Sequence, residues 1–138
     1  MSDTFTPDQR SRIMALVKGK DTKPEKLVRS LLHRMGFRFR LHRKDLPGKP
    51  DIVLPRHRKA IFVHGCFWHG HDGCRRGARP TSNTEFWNAK IDRNVERDRL
   101  AVHALEDAGW HVLTLWQCEM KSLPVLQARL ASFLSRRT

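Results

Sequence analysis

The sequence lacks any long apolar run, and it is poor in cysteine. No apolar stretch approaches the ~20 residues that a membrane-spanning helix needs, and the first twelve residues are polar, unlike a secretory signal. Three cysteines are an odd number, which argues against a disulfide framework and suits metal ligation in a reducing compartment. We therefore expect a cytosolic protein with no membrane partner.

Acidic residues are also scarce. The chain has 14 Asp and Glu against 27 Lys and Arg, which gives a formal net charge of +13. Such an imbalance favours a polyanionic partner, most simply nucleic acid, because neutralising phosphates supplies affinity for any sequence. The alternative is a basic protein without such a partner. The length of 138 residues fits one domain over residues 1–138.

Capping patterns and periodicity predict the elements. Thr6 and Thr22 each precede a proline and a Gln or Glu at capping-box spacing, which predicts helices over 6–17 and from 22 to Gly36. Ser82 with Glu85 predicts a long helix to about residue 108, and a last helix spans about 122–134. Strands are predicted at 37–41, 51–54, 60–63 and 110–116, the third being central. The order predicts an α/β fold with a mixed sheet flanked by helices.

The segment His64–Cys74, H-G-C-F-W-H-G-H-D-G-C, is the densest in chemistry. It holds three of the eight histidines and two of the three cysteines. Cys66, His71 and Cys74 are soft ligands, and Cys118 lies just past the predicted fourth strand. If that strand lies beside the third, the four residues form a Cys3His set, which is typical of structural zinc. The alternative is free buried cysteines beside solvated histidines.

Hard-oxygen chemistry is predicted beside this segment. Asp51 begins one strand and His64 ends the neighbouring one, so a carboxylate, a main-chain carbonyl and an imidazole meet at one edge, as Mg2+ sites in nucleases require. Asp98 falls on the apolar stripe of the long helix, where a carboxylate needs a metal, a histidine or an arginine as partner. His69, held between zinc ligands, suits a general base. Glu25 is explained by its capping box with Thr22, so the pattern alone does not assign it a catalytic role.

Three aromatic residues are expected to be exposed and rigid, which on a basic protein suggests stacking against or between bases. Phe67 and Trp68 lie in the segment just described, and Trp87 begins the long helix. Lys90 and Asn94 follow Trp87 on the same helix face, so these three could meet one base pair. The alternative is that the aromatic rings only cover the zinc site.

These residues together resemble the very short patch repair (Vsr) endonuclease family over nearly the whole chain. The motifs that carry the resemblance are Pro50-Asp51, 62–69 (FVHGCFWH), 85–87 (EFW), 94–98 (NVERD) and Gly109-Trp110 before a strand ending near Cys118. The family implies a restriction-endonuclease-like core and a bacterial, nucleoid-associated enzyme. It nicks one strand of double-stranded DNA 5′ to the thymine of a T:G mismatch left by deamination of 5-methylcytosine.

The resemblance also implies roles for residues. Asp51 and the Val63 main-chain carbonyl would bind Mg2+, Glu25 and His64 would hold its waters, and Asp98 would support His69 as base. The remaining implied roles are zinc ligation and contacts to the mispair: Cys66, His71, Cys74 and Cys118 for zinc; Phe67, Trp68 and Trp87 for an intercalating wedge; Met14, Lys90 and Asn94 for the mispair.

Two positions depart from the family pattern. Val63 stands where threonine is expected, which preserves a carbonyl but not a hydroxyl, and the interval from His71 to Cys74 is one residue longer. Two other functions compete with mismatch nicking: a related nuclease of looser, restriction or defence specificity, and a catalytically idle zinc protein that only binds DNA. A monomer is expected, with mismatch-repair helper proteins as further partners.

Overall fold

The computed structural model describes residues 22–135, in which a four-stranded sheet lies between helices. The helices are α1 (Lys23–Arg34), α2 (Thr84–Asp107) and α3 (Leu123–Ser135), and the strands are β1 (Arg40–Leu41), β2 (Ile52–Leu54), β3 (Lys59–His64) and β4 (His111–Trp116). Short 3-10 turns occupy Pro55–His57, Arg75–Gly77 and Gln117–Lys121. From the second predicted helix onward, the predicted order of elements is confirmed.

The sheet is mixed and has the strand order β1-β2-β3-β4. β1 to β3 are antiparallel neighbours, whereas β4 runs parallel to β3, with Lys59 opposite His111 and His64 opposite Trp116. The parallel pair places the ends of β3 and β4 at one edge of the sheet. Residues that follow both strands therefore meet there.

Both faces of the sheet are covered, which explains why every residue of β3 is buried. Successive strand side chains point to opposite faces. Ile52, Ile61 and Leu115 join a core with α1 and α3, while Val53, Ala60 and Phe62 join a second core with α2. The prediction that the third strand is central is confirmed.

Lys59 begins β3, and its buried ammonium group is hydrogen-bonded. Its Nζ donates to the main-chain oxygens of Phe133 and Leu134 at 2.8 and 3.0 Å. These carbonyls belong to the last turn of α3, which has no helical donors of its own and carries partial negative charge. The ammonium group therefore ties the end of α3 to the centre of the sheet.

The ends of α1 follow the prediction. The Thr22 hydroxyl accepts from the Glu25 N–H at 3.3 Å. At the other end, Gly36 has φ +84°, and the Phe37 N–H donates to the Leu32 carbonyl at 3.0 Å. This is the left-handed termination expected of a glycine after a helix.

Two predicted boundaries are wrong. The strand predicted over 37–41 pairs only at Arg40 and Leu41, because its partner β2 has three residues and is followed by Pro55, which has no N–H for a ladder. The capping box at Ser82 does not begin the long helix. Asn83 precedes it with φ +53° and no side-chain cap bond, a backbone conformation that asparagine tolerates.

Two further expectations concern the first predicted helix and the absence of a membrane-spanning helix. The helix predicted over 6–17, with Met14, lies outside the described residues. Within residues 22–135, no helix is long and apolar enough to cross a membrane.

Candidate active site

Asp51 lies between β1 and β3, one residue before β2. Its Oδ2 accepts a hydrogen bond from the Val63 N–H at 2.7 Å. Burial raises the pKa of the Asp51 carboxyl from its ordinary 3.8 to about 7; the Val63 N–H opposes this rise, and the nearby Glu25 carboxyl adds to it. The raised pKa favours the protonated form of Asp51 more than in a free carboxyl, whereas a bound cation would favour the ionised form.

Glu25 faces Asp51 from the first turn of α1 and is 2% exposed. Its Oε2 accepts from Arg29 Nη2 at 3.1 Å and lies 3.5 Å from His42 Nε2. The carboxylate is thus directed into a group of charged side chains, although the main-chain N–H of Glu25 is capped by Thr22 as predicted. Ligand atoms of Glu25, His42 and Asp51, here called the carboxylate corner, lie within 4.8 Å of one another.

The Val63 carbonyl lies beside this corner for a reason that is visible in the register. Ile52 is opposite Ile61 in the antiparallel pair of β2 and β3, so two more residues set Val63 opposite Pro50. On a strand, the N–H and carbonyl of one residue point to the same side. The Val63 N–H points to the β2 side, because it bonds Asp51 Oδ2. The Val63 carbonyl therefore lies on that side too, opposite Pro50, which has no N–H to donate to it.

A second group joins His64, His69 and Asp98. His69 Nδ1 lies 2.6 Å from Asp98 Oδ2, and His64 Nδ1 lies 3.9 Å from the same oxygen. The imidazole rings stack with centroids 3.8 Å apart at an angle of 4°. Burial, together with the neighbouring His69 charge, lowers the pKa of His64 to about 4 against the opposing effect of Asp98. His64 is therefore neutral at neutral pH.

The stripe that pointed to Asp98 is only partly buried. Ile91 and Leu105 are fully buried, but Val95 is 39% exposed, and the Asp98 side chain is 23% exposed. The expectation of a buried face along this whole stripe is wrong. Asp98 nevertheless has a histidine as partner, which was one of the alternatives for a carboxylate at this position.

Residues of both groups line one cleft of about 900 Å3. Its lining includes Glu25 and Asp51 from the carboxylate corner and His64, His69 and Asp98 from the second group. Lys44, Lys49 and Arg97 also line it, so positive charge surrounds the acidic groups. A cleft of this kind attracts a phosphate backbone to a place where a cation, a carboxylate and a base can act together.

The Cys/His cluster contains Cys66, His71, Cys74 and Cys118, with ligand atoms within 4.8 Å of one another. Cys118 Sγ lies 3.5 Å from His71 Nδ1, and the Cys118 N–H lies 3.4 Å from Cys66 Sγ. A tetrahedral ion with bonds of about 2.3 Å to sulfur and 2.0 Å to nitrogen sets sulfur and nitrogen about 3.5 Å apart. The donor set and its spacing fit a metal site.

The thiols of this cluster ionise unequally. Burial acts to raise the pKa of Cys74, but the Arg76 N–H and a hydrogen bond with His71 lower it to about 7. Burial and then the neighbouring Cys66 and Cys74 side chains raise the pKa of Cys118 to about 12. Several thiolates cannot share this site without a cation, and a bound metal ion would provide one.

Four aromatic side chains, here called the aromatic cluster, pack beside the cleft: Phe67, Trp68, Phe86 and Trp87. Ring centroids lie 5.0 to 5.9 Å apart in the four pairs that touch. The expectation that Trp87 is exposed is wrong, since it is 4% exposed under its neighbours. Phe86, whose exposure the sequence pattern did not indicate, is instead 46% exposed.

Asn94 holds the aromatic cluster rather than pointing freely outward. Its Nδ2 donates to the Trp68 carbonyl at 2.8 Å, and its Oδ1 accepts from Arg97 Nη2 at 2.8 Å. Lys90 lies one turn earlier and is half-buried. The structure thus brings Trp87, Lys90 and Asn94 to one side of α2, as predicted, with the amide already engaged.

Sequence reasoning missed His42 and Arg29. Arg29 follows Glu25 by four residues, a spacing that indicates an ion pair on a helix. His42 gave no such signal, because it reaches Asp51 only through the pairing of β1 with β2.

Comparison with known proteins agrees with this chemistry. The sequence model described as DNA mismatch endonuclease Vsr matches residues 2–76. The Type II nicking enzyme V.XorIIP of Xanthomonas oryzae pv. oryzae is 54% identical over 134 residues, which cover 97% of this chain and 98% of that protein. V.NmeAIP of Neisseria meningitidis, also a Type II nicking enzyme, is 46% identical over 130 residues, covering 94% and 92%. The DNA mismatch endonuclease Vsr of Escherichia coli is 43% identical over 121 residues, covering 88% and 77%. The chain therefore belongs to the Vsr family of DNA mismatch endonucleases.

Proposed function

We propose that the protein is a Mg2+-dependent endonuclease that nicks one strand of double-stranded DNA 5′ to the thymine of a T:G mismatch. The observation that carries this proposal is the cleft of about 900 Å3, whose lining includes Glu25 and Asp51 of the carboxylate corner together with His69 and Asp98. Hydrolysis of a phosphodiester needs a site for a hard cation and a proton acceptor within reach of one water. The cleft offers both, and its lysines and arginine suit a phosphate backbone.

Asp51 is the proposed protein ligand of the divalent ion, with the Val63 carbonyl as the second. The Asp51 carboxylate, held by the Val63 N–H, and a main-chain carbonyl opposite Pro50 form a set of oxygens that fits a hard cation. When bound, Mg2+ would offset charge on the phosphate and acidify a bound water. Glu25 and His64 would orient such waters, and the buried Nδ1 of His64 has no hydrogen-bond partner among the described residues.

His69 is the proposed general base. A carboxylate accepts, so the contact with Asp98 places the imidazole proton on His69 Nδ1 and leaves Nε2 as the acceptor. Water attacks the phosphorus atom, His69 Nε2 takes the proton of that water, and the bond to the 3′ oxygen breaks. Asp98 stabilises the imidazolium that forms, and the stacked, neutral His64 keeps the His69 ring in its plane.

The Cys/His cluster is proposed to hold structural zinc. Three of its ligands come from the loop that also carries His69 and the aromatic residues 67 and 68, and Cys118 ties this loop to the end of β4. A closed set of four protein ligands has no position for substrate, so its contribution is to fix the loop. Binding of the metal ion would supply folding free energy to this loop.

The aromatic cluster is the proposed wedge into the mispair. Phe67 and Trp68 are half-buried and would enter first, while Trp87 can join only if the cluster opens. Unstacking is cheapest at a mispair, which gives selectivity. Met14, Lys90 and Asn94 are proposed to touch the mispair, on a monomer with a restriction-endonuclease-like core that acts in the bacterial cytoplasm, with helper proteins following the nick.

A nicking assay tests this proposal. Duplexes identical except for a T:G or T:A pair are labelled on each strand in turn and incubated with protein and Mg2+. We expect one product, cut 5′ to the mispaired thymine, and none in excess chelator. Equal cutting of both duplexes would contradict mismatch specificity.

Two competing functions have their own outcomes in the same assay. A nuclease of looser, restriction or defence specificity would cut matched DNA; the names of two relatives, Type II nicking enzymes, mention no mismatch. A catalytically idle zinc protein would bind both duplexes and cut neither. Zinc and magnesium contents measured on the same preparation separate a missing metal from a missing activity.

A further inference from the structure

His42 occupies a strained position next to Asp51. Its φ of +50° is rare for a residue with a side chain, and its main-chain N–H donates to the Asp51 carbonyl at 3.2 Å. Strain of this kind persists only where the surroundings impose it, and it is concentrated at functional sites. The turn after β1 therefore delivers this imidazole to the carboxylate corner by the same contact that positions Asp51.

The composition of the carboxylate corner presents a chemical problem. Two carboxylates and one imidazole with ligand atoms within 4.8 Å form a set that zinc and other transition ions bind well. The proposed nuclease needs a hard-oxygen site for Mg2+ instead, in a chain whose Cys/His cluster suits zinc. Nitrogen as a third ligand would favour the wrong ion at the catalytic position.

Arg29 resolves this problem through the protonation of the His42 ring. Arg29 Nη2 lies 3.1 Å from His42 Nε2, and the same nitrogen lies 3.1 Å from Glu25 Oε2. A guanidinium group has only donors, so in this contact His42 Nε2 is the acceptor and the ring N–H is on Nδ1. The Glu25 Oε2, which could accept from the same nitrogen, lies farther away at 3.5 Å.

The protonated nitrogen is the one that faces Asp51. His42 Nδ1 lies 4.0 Å from Asp51 Oδ1, whereas Asp51 Oδ2 is held by the Val63 N–H. A nitrogen that bears a proton has no lone pair for a metal ion. It can still donate to an oxygen, either of Asp51 or of a water bound beside it.

We propose that Arg29 is a selectivity-determining residue: by donating to His42 Nε2, it holds His42 as an Nδ1–H donor and so keeps the carboxylate corner an oxygen site that excludes zinc. This inference rests on the proposed role of Asp51 as ligand of the catalytic ion. His42 is a positioning residue that orients oxygen atoms around the ion. Arg29 also neutralises Glu25, which is 3% exposed at its side chain, so loss of Arg29 favours a replacement cation.

Zinc stoichiometry tests the proposal without an activity measurement. The full-length protein is equilibrated with excess zinc, freed of unbound metal and analysed by mass spectrometry for metal per chain. We expect about one zinc in the wild type and about two in Arg29→Leu, the second held at least about tenfold more weakly when His42→Ala is added. Arg43→Leu removes a half-buried arginine that is paired with Asp45 outside the carboxylate corner, and it is the matched control, with about one zinc expected.

A second measurement needs no variant and survives a variant that fails to fold. Nitrogen-15 chemical shifts of labelled histidine report which ring nitrogen of His42 carries the proton. We expect Nδ1 to be protonated in the wild type, and the proton to return to Nε2 in Arg29→Leu. A proton on Nε2 in the wild type, or the same second zinc in wild type and variant, would overturn the proposal. Mg2+ titration of the wild type and Asp51→Asn in the same spectra tests the underlying metal site separately.

Discussion

The Cys/His cluster draws three of its four side chains from one loop, whereas the carboxylate corner takes its groups from α1, from the turn after β1 and from the residue before β2. The cluster offers soft atoms in a closed set, and the corner offers mainly oxygen beside an open cleft. The first can hold shape and the second can exchange ligands during a reaction. The site suited to holding the structure is thus built mainly from residues close in sequence. The site suited to catalysis is built from residues that only the fold brings together.

The largest effect should come from removing the carboxylate of the open site. Asp51→Asn keeps the shape of the side chain but removes the charge, so we expect nicking of T:G duplex to fall at least about a thousandfold. Zinc content should stay unchanged, because the Cys/His cluster does not include this residue. The melting temperature should not fall, because the substitution removes a carboxyl whose ionisation opposes folding. Asp107→Asn, at the exposed end of α2, is the matched control. Nicking retained by Asp51→Asn would contradict the proposed metal ligand.

The His69–Asp98 pair should behave as one unit. His69→Gln removes the proton acceptor, and we expect the single-turnover nicking rate to fall about a hundredfold to ten-thousandfold. Asp98→Asn acts only through His69 in this scheme, so adding it to His69→Gln should cost little more. Rates of both single variants and the double variant form the cycle that checks this coupling. Independent, additive losses would mean that Asp98 does not act through His69.

Disruption of the Cys/His cluster should affect the stability of the protein more directly than its catalysis. Cys118→Ser removes the ligand that joins the loop to the end of β4, and we expect zinc to be lost and the melting temperature to fall by about 10 °C. Cys118→His keeps a ligand atom and should retain part of both. Metal analysis and thermal denaturation in one buffer provide the measurement. Wild-type zinc content in Cys118→Ser would remove this residue from the cluster.

The smallest effect concerns pH at the open site. Burial raises the pKa of Asp51 to about 7, and a metal ion needs the ionised form. Mg2+ affinity, measured by calorimetry, should therefore be about tenfold weaker one unit below this pKa than one unit above it. A flat profile between these two pH values would contradict the raised pKa.

The sign is opposite for folding without metal. Because the folded-state pKa of Asp51 lies above its ordinary 3.8, its contribution to stability is fully present below 3.8 and is lost as pH rises through 7. Denaturant titrations with and without Mg2+ should diverge as pH rises through this window. The Cys/His cluster serves as the internal reference if it is kept saturated with zinc.

Local patterns predicted much of this molecule. The Thr22 cap, the left-handed Gly36, the buried β3 and the approach of Cys118 to the 66–74 loop all follow from short-range rules or from one strand pairing. These features depend on neighbours that the sequence itself makes adjacent. A partner such as His69 for Asp98 could be predicted for the same reason, since the apolar stripe indicated that this carboxylate lies on the inward side of α2.

The errors arise where tertiary contacts override local pattern. Trp87 is buried because three other rings cover it, which no spacing within α2 could indicate. His42 reaches Asp51 only through the register of β1 and β2, and Arg29 gains its second contact only when that turn folds over α1. Net charge, helix caps and hydrophobic periodicity can be read from the sequence itself. The contacts that would select one tautomer of the His42 imidazole exist only in the assembled fold.

The loop from His71 to Gly77 also determines where the chain can change length. A Cβ added at Gly77 would lie 2.3 Å from the His71 carbonyl, whereas one added at Gly73, where φ is +70°, would meet nothing within 4 Å. The loop therefore borders open space at Gly73, within the interval from His71 to Cys74, and is closely packed at Gly77. Added length fits next to Gly73 and not at Gly77, whereas the positive φ at Gly73 strains any side chain placed on that residue itself.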